Sequence, residues 1–181
     1  LESGKLSEVT ITNFAPIAAT GKKVDGQGNK VDGATFALFS SKDNANAVSQ
    51  LSDVQLNQLA NDSKMQEEYG VLQVTTSKNG QIEFKGLDTT QTYYVLEIKA
   101  PVDNNNHPTH QRDENVYTVS IKVDGNKYYL IDQNTGEILS VTNYLYQRIW
   151  LRKNFTFAGN TEELNGVNFN VYQAIQVDDK E

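Results

Sequence analysis

Three polar side chains occupy positions where strand periodicity asks for apolar ones. Lys23 closes the run Ile17, Ala19, Gly21; Glu97 follows Tyr93 and Val95; Asn143 follows Leu139 and Val141. Successive side chains of a strand point to opposite faces, so each of these groups shares a face with apolar neighbours and is directed into the core. Lys22, of the opposite parity, is directed to solvent. A lone charge in an apolar interior either neutralises or costs several kcal/mol. A chain that obeys these alternations must therefore bring the three groups together. Two arrangements answer that demand. One is a buried ion pair of Lys23 and Glu97 with Asn143 hydrogen-bonded beside it. The other is an amide that the chain forms between Lys23 and Asn143, with Glu97 as proton shuttle.

Strand signals dominate elsewhere. Nine Tyr and seven Phe accompany Val, Ile and Thr in alternating runs over residues 9–14, 17–24, 34–39, 71–76, 81–84, 92–98, 117–123, 127–131 and 137–145. In the run 34–39, Ala34, Phe36 and Leu38 share a face. Turn residues at 25–29, 124–126 and 134–136 separate these runs, and Lys78-Asn79-Gly80 predicts a hairpin joining 71–76 to 81–84. Residues 44–68 differ. There Val48, Leu51, Val54 (or Gln55), Leu56 and Leu59 recur near helical spacing, which predicts a short helical insertion. Residues 101–114 are polar and predict a long loop.

At 181 residues the chain is long enough to bury a sizeable core. Its net charge of -7 argues against nucleic acid or an anionic membrane as partner. No apolar run approaches the roughly 18 residues that span a bilayer, and no secretory leader is seen. If the protein is exported, the chain is expected to be an internal part of a longer one. The absence of cysteine excludes disulfides, thiolate catalysis and sulfur-bound zinc. Robustness must then come from packing or from another covalent staple.

Other site candidates are weaker. His107 and His110 with Asp103 and Asp113 have metal-binding side chains, but a loop this polar is usually solvated, and no metal is expected. No phosphate loop, dinucleotide fingerprint or Gly-x-Ser-x-Gly elbow occurs, so no cofactor and no enzyme with turnover is expected.

The chain's end parallels its beginning. Ile149, Leu151 and Lys153 alternate as Gly21 and Lys23 do, and residues 164–172 parallel 31–39. The expected organisation is an N-terminal strand at 1–13 that closes a preceding unit, a main domain at 14–146, and the first strands of a second similar domain at 147–181.

Four segments of this chain resemble the Cna protein B-type (CnaB) domain of Gram-positive pilins and surface adhesins. They are Lys23-Val24-Asp25 with Gly28 and the run Asp32-Gly33-Ala34-Thr35-Phe36; Gly80-Gln81-Ile82-Glu83-Phe84-Lys85-Gly86-Leu87; Tyr93-Tyr94-Val95-Leu96-Glu97-Ile98-Lys99-Ala100-Pro101; and Val141-Thr142-Asn143. The third resembles the pilin E-box, although the family continues Ala-Pro-x-Gly-Tyr where this chain has Val102-Asp103.

The resemblance implies an all-β, immunoglobulin-like sandwich in which the first-strand lysine, Lys23, is joined to the last-strand asparagine, Asn143. It implies that Glu97 promotes this single-turnover reaction, and that Lys153 is the corresponding lysine of the second unit. It further implies an extracellular, cell-wall-anchored parent processed by sortase, with neighbouring domains or pilin subunits as partners. The alternative it leaves is a ligand-binding adhesin domain that meets a host protein or glycan through residues 44–68 and 101–114.

Overall fold

Alternation in the sequence becomes eight strands in one continuous ladder. The computed structural model describes residues 17–146, together with the backbone of 154–157 and 160–163. In the first unit the strands are β1 Ala18–Asp25, β2 Thr35–Phe39, β3 Val71–Thr76, β4 Gln81–Lys85, β5 Tyr93–Lys99, β6 Val116–Asp124, β7 Lys127–Asp132 and β8 Ser140–Asn143. Three helices, α1 Lys42–Ser49, α2 Asp53–Leu59 and α3 Ser63–Glu68, lie between β2 and β3. The strand order is β3-β2-β5-β6-β7-β1-β4, with β8 paired to β1. Every pairing is antiparallel except those of β1 with β7 and with β8.

The ladder folds back on itself to make the sandwich. One apolar cluster draws Phe36 and Leu38 from β2, Val95 from β5 and Val119 from β6, and meets Ala19, Ile82, Phe84 and Val141 from β1, β4 and β8. The β1–β7 pairing that joins the two leaves spans only Ala19↔Tyr128 and Thr20↔Tyr129. This corner lets both leaves turn their inner faces to one core. A second cluster lies on the outer face of β2 and β5, where Ala37, Phe39, Leu96 and Ile98 pack against Ala45 and Val48 of α1 and Leu56 and Leu59 of α2. Strand β2 is therefore buried on both faces.

The helical insertion is three short helices, each opened by a side-chain cap. Ser52 and Gln55 form a reciprocal capping box at α2. That cap starts the helix at Asp53 and sets its phase, so Leu56 and Leu59 face the sheet while Val54 stays 78% exposed. The apolar spacing admitted Val54 or Gln55 to this face; the capping phase leaves both exposed.

The expected hairpin of 71–76 with 81–84 is also corrected. Asn79 and Gly80 have positive φ (54° and 70°), and Lys78 and Gln81 exchange backbone hydrogen bonds of 3.0 Å, so the two-residue turn is present. Beyond it the strands part: β3 pairs with β2 in one leaf and β4 with β1 in the other. Ile82 and Phe84 reach the core only from that second leaf. The Gln73 carboxamide spans the gap, taking the Lys85 N–H at 3.0 Å and donating to the Lys85 carbonyl.

The second unit comprises residues 147–181, and its described part is an antiparallel pair, β9 Asn154–Phe157 with β10 Asn160–Glu163. Lys153, the N-terminal strand at 1–13 and the parallel drawn from 164–172 lie outside the described residues. No helix among the described residues is long and apolar enough to cross a membrane.

Candidate functional site

Lys23, Glu97 and Asn143 meet inside the sandwich, on three strands from both leaves. They are 0%, 1% and 1% exposed, so no water screens them. Lys23 Nζ lies 3.4 Å from Glu97 Oε2 and donates to the Val141 carbonyl at 3.3 Å. Asn143 Nδ2 donates to Glu97 Oε1 at 2.6 Å. Glu97 Oε2 has no hydrogen bond but faces Lys23 Nζ, whereas Asn143 Oδ1 is buried without a hydrogen bond, a costly condition in an apolar core.

Backbone register explains why the three converge. Strand β1 pairs with β8 in parallel, matching Lys23↔Val141 and Asp25↔Asn143, so the first and last strands lie side by side at their C-terminal ends. Glu97 pairs with Phe36 across β2–β5 and points to the same interior as Tyr93 and Val95. The Lys23 N–H donates to the Gly80 carbonyl at 2.9 Å, and its carbonyl accepts from Val31 N–H at 3.1 Å. The lysine is thus fixed at its backbone before its side chain is considered.

Gly80 carries part of this fixation. Its φ of +70° is left-handed, and a Cβ there would meet Lys30 Cβ and Cγ at 2.7 Å and the Lys23 carbonyl at 3.2 Å. Gly80→Ala is expected to destabilise by about 1–2 kcal/mol from the left-handed backbone alone, and by more from the contact. Gly86→Ala, at φ +68° with open space around it, should lose only the first part. Urea unfolding of the two variants measures the difference.

Electrostatics in the site follow from burial. Desolvation lowers the pKa of Lys23 against the opposing pull of Glu97. Desolvation likewise raises Glu97 to about 7, opposed by Lys23 and by the Asn143 hydrogen bond. The amine is pushed toward its neutral, nucleophilic form and the carboxyl toward its protonated, donating form. Asp113, a charge in the connection between β5 and β6, pushes both pKa values upward. Tyr117 donates to Asp113 at 2.6 Å and is itself held above the usual phenol range by burial.

The remaining candidates are not assembled into a site. His107 faces Asp103 at 3.7 Å, whereas His110 shares a 2.8 Å hydrogen bond with Thr109, and Asp113 is engaged by Tyr117 and Asn115. Among the described residues no three of His, Cys, Asp or Glu are grouped to hold a metal ion. Residues 44–68 and 101–114 meet in a groove of ≈ 400 Å³ lined by Asp53, Asn57, Asn61, Asn106, Arg112 and Tyr146. Parity gave no signal for Arg112, whose guanidinium reaches the Glu97 carbonyl at 3.2 Å.

Comparison with known proteins places this geometry in a context. The family described as SpaA, prealbumin-like fold domain, matches residues 18–136. No curated protein matches the chain. Among solved structures, a streptococcal ancillary pilin is 22% identical over 74% of this chain and 30% of its own, with a TM-score of 0.41. The major pilin subunit of Bacillus cereus is 17% identical over 72% and 30%, with a TM-score of 0.38. The full-length major pilin of Streptococcus pneumoniae is 14% identical over 73% and 31%, also at 0.38. The chain spans less than a third of the length of each of these pilins.

Proposed function

This chain belongs to the SpaA family of prealbumin-like fold domains, and from that premise we propose that it is a structural module of a Gram-positive pilin or adhesin, of the CnaB type. In this reading the domain closes itself with an amide between Lys23 and Asn143. Its parent is displayed on the cell surface after sortase processing, and its partners are neighbouring domains or pilin subunits. The observation that carries the reading is the burial, in an apolar core, of an amine and a carboxamide that both contact one carboxyl.

The chemistry runs as an acyl transfer. Neutral Lys23 Nζ attacks Cγ of Asn143 and a tetrahedral centre forms. Protonated Glu97 donates to Oδ1 once the carboxamide turns over, which polarises the carbonyl and also satisfies the oxygen left without a partner. The carboxyl then relays a proton from the attacking nitrogen to Nδ2. The Cγ–Nδ2 bond breaks, the Nζ–Cγ bond remains, and one ammonia leaves. Folding supplies the proximity, which in well-oriented systems is worth roughly 7–11 kcal/mol of barrier.

Intact mass under denaturing conditions tests this. The expected result is a chain lighter than its sequence by about 17 Da, one ammonia, with the deficit absent from Lys23→Ala and Asn143→Ala. A wild-type chain at full mass would leave a buried ion pair and end the cross-linking reading.

A further inference from the structure

Glu97 sits at a defect in its own sheet. The β2–β5 register passes from Thr35↔Lys99 to Phe36↔Glu97, a bulge that leaves Ile98 as the extra residue on β5. On the other side, the final β5–β6 pair is Leu96↔Val116. Past that pair the Glu97 carbonyl meets a side chain, Arg112, whose Nη1 donates at 3.2 Å. The Arg112 side chain is 12% exposed and is held by Asp53 at the start of α2 (3.4 Å) and by Glu114 (3.5 Å).

The segment that carries Arg112 also grips the strand of the carboxamide. Gln111 N–H donates to the Tyr144 carbonyl at 2.8 Å, and Tyr146 N–H donates to the Thr109 carbonyl at 3.1 Å. His110 and Leu145 form the bridge between them. Residues 109–112 therefore strap the backbone just after Asn143 to the backbone of Glu97.

We propose that Arg112 is a positioning residue for the cross-link, standing in for the missing strand at Glu97 and, through the strap, setting the carboxyl against the Asn143 carboxamide. The proposal rests on the cross-linking reading. Bulges re-aim side chains beside active sites, and a re-aimed side chain needs a second point of support. A planar guanidinium has enough donors to serve one carbonyl and two carboxylates together; an ammonium has fewer and no fixed fork. Misplacing a reacting group by about 1 Å can cost on the order of a hundredfold in rate.

The test follows amide formation in the full chain made by cell-free synthesis, stopped at intervals in acidic denaturant and read by intact mass. Arg112→Ala is expected to cross-link roughly tenfold to a hundredfold slower than wild type. Arg112→Lys should recover part of that rate, because its ammonium still donates to the carbonyl. In an Asn143→Ala background, which cannot cross-link, Arg112→Ala should barely move the thermal midpoint. A wild-type rate in Arg112→Ala would overturn the positioning role and leave the cross-linking reading intact. Equal slowing in both variants with a collapsed midpoint would make Arg112 a structural residue only, and overturns the role as well. A wild-type chain that never loses ammonia removes both.

Discussion

Asn143→Ala is expected to lower the thermal midpoint by on the order of 20 °C and to expose the domain to trypsin, while its far-UV spectrum stays that of a β-protein. In the proposed reading the staple would close the chain between residues 23 and 143, a loop of more than a hundred residues. On the chain-entropy account, closing a loop of about 100 residues removes close to 5 kcal/mol of freedom from the unfolded state. Asn143 is the cleaner site for this test, because Lys23→Ala also empties one of the largest fully buried side-chain volumes in the core. Differential scanning calorimetry of both variants beside wild type gives the two contributions. Matching midpoints for wild type and Asn143→Ala would mean that no staple contributes to stability.

The same variant should reveal the carboxyl through pH. Glu97 is raised from an ordinary 4.5 to about 7, so the folded state holds a proton that the unfolded state has released. Its contribution is fully present below about 4.5 and is lost as pH rises through about 7. Asn143→Ala, in which the hydrogen bond that lowers Glu97 is gone, should therefore lose stability relative to an Asn143→Ala, Glu97→Gln double variant as pH rises above about 5. An identical pH dependence in the two would mean that Glu97 ionises normally in the fold.

Glu97→Ala is expected to prevent cross-linking and keep the fold, and Glu97→Gln to do the same. Acid–base groups in position contribute roughly 10²–10⁴-fold to a rate. A loss of that size is expected to hold both variants at unshifted mass over the time in which wild type reacts. Glutamine retains the shape and one hydrogen bond but cannot carry a proton, so it separates proton transfer from packing. Lys23 then lies buried without its carboxylate, and the desolvation that lowers its pKa acts without the opposing pull of Glu97. Full-length mass in both variants, with near-wild-type spectra, is the expected outcome. A 17 Da deficit surviving in Glu97→Gln would assign the proton transfers to another group.

Parity alone placed Lys23, Glu97 and Asn143 in the interior: β1 and β8 alternate without interruption through Lys23 and Asn143, and in β5 the bulge at Ile98 falls after Glu97, so the parity counted from Tyr93 and Val95 still holds there. Parity was less informative where burial depends on distant partners. The alternation of Ala34, Phe36 and Leu38 identified one face of β2, but nothing local says that α1 and α2 cover Ala37 and Phe39 on the other. The Asn79-Gly80 turn was legible, whereas the parting of β3 and β4 was not. Turn residues report the local bend; strand partners are decided by which leaf can accept Ile82 and Phe84. Arg112 escaped for a related reason. It lies in an irregular segment, and its importance comes from the place where the β5–β6 ladder stops.

The parallel pairing of β1 with β8 determines how the domain responds when its ends are drawn apart. Asp25 lies beside Asn143, and Ala18 lies at the far end of β1. A pull that enters before Ala18 and leaves after Asn143 drags the two strands past each other lengthwise. Their hydrogen bonds are then strained together in shear instead of being unzipped one at a time. A domain arranged this way resists extension during the interval after folding and before any covalent bond has formed.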